Sequence, residues 1–325
     1  MSKRRISHQQ SARIERKQAH YRQKSPMITE GTTLEGLIIK RYGSQALVES
    51  LEGIQVHCSI RPNIDSLVAG DRIIWQEEGP HQGVVISRYP RESVLGRADK
   101  HGQLKPVAAN ISQIMIVVAS KPEISWPLLD SYLVMAEYLK LSACIVLNKA
   151  DLPSNELQQR LIQEYEPLGY SVLSTSIQGN RGYEALEKIL NDEISVFVGQ
   201  SGVGKSSIIE HILPKETSIQ TAAISAHSEL GRHTTSNSRF YHLPTGGALI
   251  DSPGVREMAL WHMHISDIAK GYREFVPFLS QCKYRNCTHR NTESCAIQNA
   301  TKSQLIALHR YENYVKISTQ FGKPS

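Results

Sequence analysis

Beyond residue 32 the chain runs in short alternations of apolar and polar positions. They predict strands over 34–40, 44–49, 55–60, 72–75 and 83–86, with turn-forming residues between them. Five short strands in about 60 residues predict a small barrel. The five-stranded OB-fold is the leading candidate, and an SH3-like barrel would give much the same pattern. From about residue 105 the pattern changes. Mainly apolar stretches at 111–119, 143–147, 171–173 and 194–198 read as buried strands. Between them, helical periodicity covers 128–139, 155–165, 183–190 and 206–213, and strands at 239–243 and 247–250 close the set. Such alternation predicts a parallel, doubly wound α/β sheet. Beyond 265 the chain reads as helical and cysteine-bearing, ending in a periodic stretch over 301–317. The expected organisation is a tail over 1–31, a barrel over 32–92, an α/β domain over 93–265 and a C-terminal domain over 266–325.

Charge sharpens the picture of the tail. The net charge is +6, and residues 1–24 alone carry Lys3, Arg4, Arg5, Arg13, Arg16, Lys17, Arg22 and Lys24 against Glu15. So polar a segment cannot bury enough surface to fold alone, and its expected partner is a polyanion such as nucleic acid. No apolar stretch follows these basic residues, so no secretory leader is expected. The longest apolar runs are strand-length, where a membrane span needs about 20 residues. The expectation is a monomeric cytoplasmic protein with no membrane partner.

Three motifs carry chemistry. Gly199-Gln200-Ser201-Gly202-Val203-Gly204-Lys205-Ser206, followed by Ser207, matches a phosphate loop in full, with a predicted strand before it and a helix after. Its glycines let backbone N–H groups face a β-phosphate, Lys205 supplies positive charge, and the Ser206 hydroxyl suits Mg²⁺. Asn148-Lys149-Ala150-Asp151 follows a buried strand, where open α/β sheets bind ligands. Asp151 can accept from two N–H donors on the guanine edge that adenine lacks, Asn148 can brace the site, and the Lys149 stem can cover the ring. Asp251-Ser252-Pro253-Gly254 ends another strand, placing Asp251 near Mg²⁺ and the Gly254 N–H near a γ-phosphate. Between the last two motifs lies Gly231-Arg232-His233-Thr234-Thr235-Ser236, where either Thr234 or Thr235 could complete the Mg²⁺ shell. These parts read as a GTP site, and Asp151 disfavours ATP. Their order is unusual, with the guanine motif first and the metal motif last. The sheet must therefore be circularly permuted, and the segment after Gly254 leads straight into the C-terminal domain.

Cys282, Cys287, His289 and Cys295 form C-x4-C-x-H-x5-C. Three thiolates and one imidazole make a closed tetrahedral set that suits one structural Zn²⁺. Lys283, Arg285 and Arg290 put positive charge beside it, fit for phosphate contact, and His262 and His264 lie outside the pattern. Trp75, Tyr42 and His57 are possible base-stacking groups on the barrel, each equally readable as core.

The permuted order, the 231–235 segment, Asp251-Ser252-Pro253-Gly254-Val255-Arg256-Glu257 and the cysteine cluster together resemble the ribosome-small-subunit-dependent GTPase A family (RsgA/YjeQ) over nearly the whole chain. That resemblance implies an N-terminal OB-fold, a permuted GTPase domain, a zinc domain, and a role in late maturation of the small ribosomal subunit. It also implies rRNA binding and GTP turnover stimulated by the subunit. Counting back from Gly182 sets the second base-contacting motif at Thr175-Ser176-Ile177, with Ile177 where a small residue is usual. Val255 stands where ordinary GTPases carry a water-orienting Gln, which leaves His233 as the candidate for that role. The alternative is an RNA-binding module in which GTP is a conformational ligand with little turnover.

Overall fold

A computed structural model describes residues 33–64, 66–98, 104–213, 238–251, 263–290 and 292–321. The chain divides into two compact units, one comprising residues up to 95 with 106–110 and 237–240, the other comprising 96–105, 111–236 and 241–325.

In the first unit, strands β1 (Thr33–Tyr42), β2 (Gln45–Ser50), β3 (Gln55–Ile60), β4 (Arg72–Gly79) and β5 (Gln82–Arg88) pair in the order β1-β2-β3-β5-β4, and β4 closes back on β1. This is a closed, OB-like five-stranded barrel in which β3 and β5 run parallel. A bulge between Ile38 and Lys40 bends β1 so that it serves both neighbours. Inward-facing Ile38, Val48, Val56, Cys58, Ile73, Trp75 and Val85 fill the interior. Trp75 is 2 % exposed and its indole N–H donates to Glu35 O at 3.2 Å, so it is core and not a stacking surface. Tyr42 and His57 are exposed. Asp71 is fully buried and met by Arg91 through two hydrogen bonds of 2.7 and 2.8 Å. A ribbon absent from the sequence reading follows, formed by β6 (Val94–Ala98) and β7 (Leu104–Ala109).

The second unit holds β8 (Gln113–Ala119), β9 (Ser142–Asn148), β10 (Ser171–Ser174), β11 (Ile194–Val198) and, after β12 (Arg239–His242), β13 (Ala248–Asp251). The spatial order β10-β9-β8-β11-β13 is parallel throughout. β8 is buried along its whole length, as its unbroken apolar run requires. Helices α1 (Trp126–Leu139), α2 (Asn155–Tyr165), α3 (Tyr183–Leu190) and α4 (Lys205–Ile212) occur between the strands in the chain. Because every strand points the same way, the residues after β9, β10, β11 and β13 emerge at one edge. The guanine motif, Thr175, the phosphate loop and Asp251 are thereby brought to a common side of a circularly permuted sheet.

The C-terminal part carries α5 (Ile265–Lys270), a 3₁₀ segment (Arg273–Gln281), α6 (Ala296–Lys302) and α7 (Leu308–Phe321). The periodic stretch expected over 301–317 is broken. Gln304 adopts a left-handed φ of 60°, and the N–H groups of Leu305 and Ile306 turn back to Ala300 O at 2.9 and 3.3 Å. This satisfies a helix-end carbonyl and starts a new helix. α7 is held by a buried charge network. Arg310 donates to Asp130 of α1 and, at 2.6 Å, to Glu274, while Asn313 and Tyr165 donate to Asp130 at 2.8 and 2.9 Å. Asp130 is fully buried and Arg310 only 2 % exposed.

Removing one member of such a network strands the others without compensation. Arg310→Met is expected to lower stability by about 3–5 kcal/mol, read from the urea-unfolding curve followed by far-ultraviolet circular dichroism. A loss below about 1 kcal/mol would show that the network carries little of the docking energy.

Candidate guanine-nucleotide site and metal cluster

The two nucleotide motifs meet through one side chain. Asn148 ends β9, is 2 % exposed, and donates from Nδ2 to Val203 O of the phosphate loop at 2.9 Å. Its Oδ1 accepts from Thr175 Oγ1 at 3.2 Å, at the start of the second base-contacting segment. Backbone bonds complete the junction, from Thr175 N–H to Leu147 O at 2.8 Å and from Ala150 N–H to Thr175 O at 3.0 Å. The phosphate loop follows β11 and opens α4. Gly199 and Gly204 hold φ values of 140° and 97°, and both are needed for close approach. A Cβ at Gly199 would lie 2.2 Å from Val117 O, and one at Gly204 would lie 2.3 Å from Asn148 Nδ2.

Lys205 is 8 % exposed, and its ammonium donates to Gly199 O and Gln200 O at 2.7 and 2.6 Å, inside the curl of the loop. A cation so placed can neutralise phosphate charge. Lys149 reaches the same loop from the other side, with Nζ donating to Gly202 O at 2.7 Å and to Lys121 O at 2.9 Å. Its stem therefore spans the gap between the motifs. Asp151 accepts a hydrogen bond from the Ser176 hydroxyl, and Ser176 Oγ also accepts from the Gln178 N–H at 3.2 Å. Thr175 and Ser176 are buried, whereas the Ile177 side chain is 45 % exposed and turned outward. Ser206 stands in the first turn of α4 and Asp251 at the end of β13, oxygen donors of the kind Mg²⁺ prefers.

His233, Thr234, Thr235, Gly254 and Val255 lie outside the described residues, as do His262 and the basic tail. Sequence reasoning missed the loop after β8. Its Lys121 carbonyl anchors Lys149, and its Ser125 N–H donates to Gln200 Oε1 at 3.2 Å. Backbone partners leave no mark in residue type, so no motif search could find them.

Cys282, Cys287, His289 and Cys295 converge, with ligand atoms all within 4.8 Å of one another, and could hold a metal ion. Cys282 Sγ lies 3.4 Å from His289 Nδ1 and 4.0 Å from Cys295 Sγ, and Cys295 Sγ lies 3.5 Å from His289 Nδ1. Around a tetrahedral ion with Zn–S of about 2.3 Å, such pairs should stand roughly 3.5–3.8 Å apart. The separations to His289 lie close to this, and the wider pairs need to close by only about 1 Å or less to reach it. Burial lowers His289 from its ordinary value, which keeps the imidazole neutral and able to ligate. The two α-helices beyond clamp the cluster. Tyr314 and Tyr311 of α7 donate to Thr288 O and His289 O at 2.7 and 2.9 Å, and Ala296 N–H at the start of α6 donates to Cys282 Sγ at 3.4 Å. Cys58 and Cys144 are of a different kind, each buried in a core that pushes its thiol up to about 12.

A family model described as RsgA GTPase matches residues 88–261. The chain is 42 % identical over 335 residues to a small ribosomal subunit biogenesis GTPase RsgA from Hahella chejuensis, covering 98 % of this chain and 96 % of that protein. Among solved structures it is similar to YjeQ from Thermotoga maritima, with a TM-score of 0.72 at 27 % identity, covering 89 % of this chain and 98 % of that one. It also shares its fold with YloQ, described as a circularly permuted GTPase, with a TM-score of 0.70 at 24 % identity over 89 % of this chain and 95 % of the other.

Since the cluster ties α6, α7 and the 282–295 loop together, stripping a metal should loosen that region. Dialysis against a strong chelator is expected to release about one equivalent of metal and lower the melting temperature by several degrees. Cys282→Ser should bind less metal from the outset. An unchanged melting temperature after complete metal release would contradict this reading.

Proposed function

Because the chain belongs to the RsgA GTPase family, we infer that it is a GTPase of small ribosomal subunit biogenesis, hydrolysing GTP to GDP and phosphate. The observation that carries this reading is the hydrogen bond from Asn148 to Val203 O, which ties the guanine tetrapeptide to the phosphate loop at one edge of a permuted sheet. In this reading GTP lies along that edge. Asp151 accepts from the guanine N1–H and amino group, and the backbone of the Ser176-Ile177 segment meets the 6-oxo group. The outward Ile177 side chain leaves that backbone approach open. Lys149 and Ala150 line the ring, while Gly199, Gln200, Ser201, Gly202, Val203, Gly204, Lys205, Ser206 and Ser207 surround the phosphates.

Ser206, Asp251 and one of Thr234 or Thr235 would hold Mg²⁺, which when bound neutralises phosphate charge. Hydrolysis is attack of water on the γ-phosphorus with the β–γ bridging oxygen leaving. Lys205 offsets charge that builds on that oxygen. His233 orients the water in the absence of a Gln after Gly254, and the Gly254 N–H senses the γ-phosphate. Cys282, Cys287, His289 and Cys295 would hold one Zn²⁺ in a purely structural role, since no ligand position is left open.

The basic tail and Lys283, Arg285 and Arg290 beside the metal cluster give the chain positive charge for rRNA phosphates. We place its work on the subunit in the cytoplasm, as a monomer. Among the described residues no helix is long and apolar enough to cross a membrane.

The test is GTP turnover with and without isolated small subunits. Wild type is expected to turn over slowly alone and faster with subunits. His233→Ala should bind GTP normally yet lose about a hundredfold or more of the stimulated rate. Equal rates with and without subunits would overturn the ribosomal reading, and an unimpaired His233→Ala would remove that residue from the mechanism.

A further inference from the structure

We propose that His211 is a positioning residue for guanine recognition, clamping the base-contacting loop to the helix that carries the phosphates. No nucleotide-binding motif includes it. His211 lies in the last turn of α4, whose first residues are Lys205 and Ser206. Its Nε2 stands 2.8 Å from Asn180 Oδ1, and because an amide oxygen only accepts, the imidazole donates through Nε2. Its ring lies against Tyr183, with centroids 4.0 Å apart at an angle of 42°. Tyr183 is 2 % exposed and begins α3, so it is a fixed wall for the imidazole.

Asn180 and Tyr183 flank the return of one tight turn. The Ser176 and Arg181 backbones exchange hydrogen bonds of 3.1 and 3.0 Å, and Asn180 N–H closes on Ile177 O at 3.3 Å. The turn therefore moves as a unit, and its leading end is the Ser176-Ile177 backbone. At the buried side it is fixed by Thr175 on Asn148 and by Ser176 on Asp151. At the exposed side His211 grips it from α4, by a hydrogen bond on one residue and ring contact on another. The purine end of the nucleotide is thus held in register with its phosphate end by a tie 31 residues long in sequence.

A contact to the 6-oxo group is short-ranged and directional, so a loop that drifts by a few tenths of an ångström loses it first. His211 then acts on the 6-oxo contact and leaves the phosphate contacts alone. This inference rests on the site reading given above, in which the 176–177 backbone meets that oxygen.

The experiment measures dissociation constants of GDP, 6-thio-GDP and ADP for wild type, His211→Ala and His211→Gln, together with melting temperature without nucleotide. 6-Thio-GDP keeps the N1–H and amino donors but replaces the strong acceptor at position 6 with sulfur. Wild type is expected to prefer GDP over both analogues. His211→Ala should weaken GDP by about fivefold while leaving 6-thio-GDP nearly unchanged, with the melting temperature held. His211→Gln, which keeps an N–H at similar reach, should recover part of the GDP preference. If His211→Ala discriminates the two guanine nucleotides as well as wild type does, or weakens both equally, the proposal is overturned and the site reading stands. If wild type itself fails to prefer GDP over 6-thio-GDP and ADP, the site reading falls and takes this proposal with it.

Discussion

A single buried amide, Asn148, holds the two halves of the nucleotide site in register. Its nitrogen donates to Val203 O in the phosphate loop and its oxygen accepts from Thr175, so three segments far apart in sequence share one side chain. Only a glycine at 204 lets the phosphate loop come this close, since a Cβ there would lie 2.3 Å from the amide nitrogen. Buried polar groups are costly unless fully paired, and this one is paired on both atoms. Rotation of the amide would break both bonds, so its orientation is determined. The order of the motifs along the chain is then immaterial to the chemistry. Parallel strands deliver each motif to the same edge, and Asn148 joins them there.

What permutation does change is the neighbourhood of the last strand. After β13 the chain runs on into a C-terminal part that belongs to the same compact unit. That part is fastened by Arg310 to Asp130 in the second turn of α1, and the residue that caps the N-terminal end of α1, Ser125, is in turn met by Gln200 of the phosphate loop. The helix nearest the loop after β8 thus touches both the phosphate site and the C-terminal helix. Its metal cluster adds a second fixed point, because α6 and α7 both hydrogen-bond to residues that carry or flank the ligands.

The sequence was most legible where chemistry constrains residue type. A phosphate loop needs glycines and a lysine, a thiolate site needs cysteines, and buried parallel strands need unbroken apolar runs such as 114–118. Those features stood out, and the strands among them lie where their apolar runs placed them. The barrel was legible as five strands, and its closure through β1 and β4 follows from a bulge that leaves no residue signature. Trp75 could be read as surface or core from sequence, and the structure buries it opposite two glycines, Gly36 and Gly83. The Asp130–Arg310 pair was not legible, since a charged residue inside a predicted helix ordinarily faces water. The break between α6 and α7 was hidden because Leu305, Ile306 and Leu308 continue a helical period through a turn. Carbonyl partners such as Lys121 O could not be found at all, because every residue has one.

The claim that joins these parts is that the edge of the permuted sheet is built for guanine, with Asp151 as the reader. Xanthine carries an oxygen where guanine carries its 2-amino group, so Asn in place of Asp151 would be complementary to it. Competition of labelled GTP by GTP, ATP and XTP, for wild type and Asp151→Asn, puts this to the test most directly. The account predicts that wild type answers to GTP alone, and that Asp151→Asn loses at least about tenfold in GTP affinity while gaining affinity for XTP. An Asp151→Asn chain that still prefers GTP over XTP as strongly as wild type would contradict it.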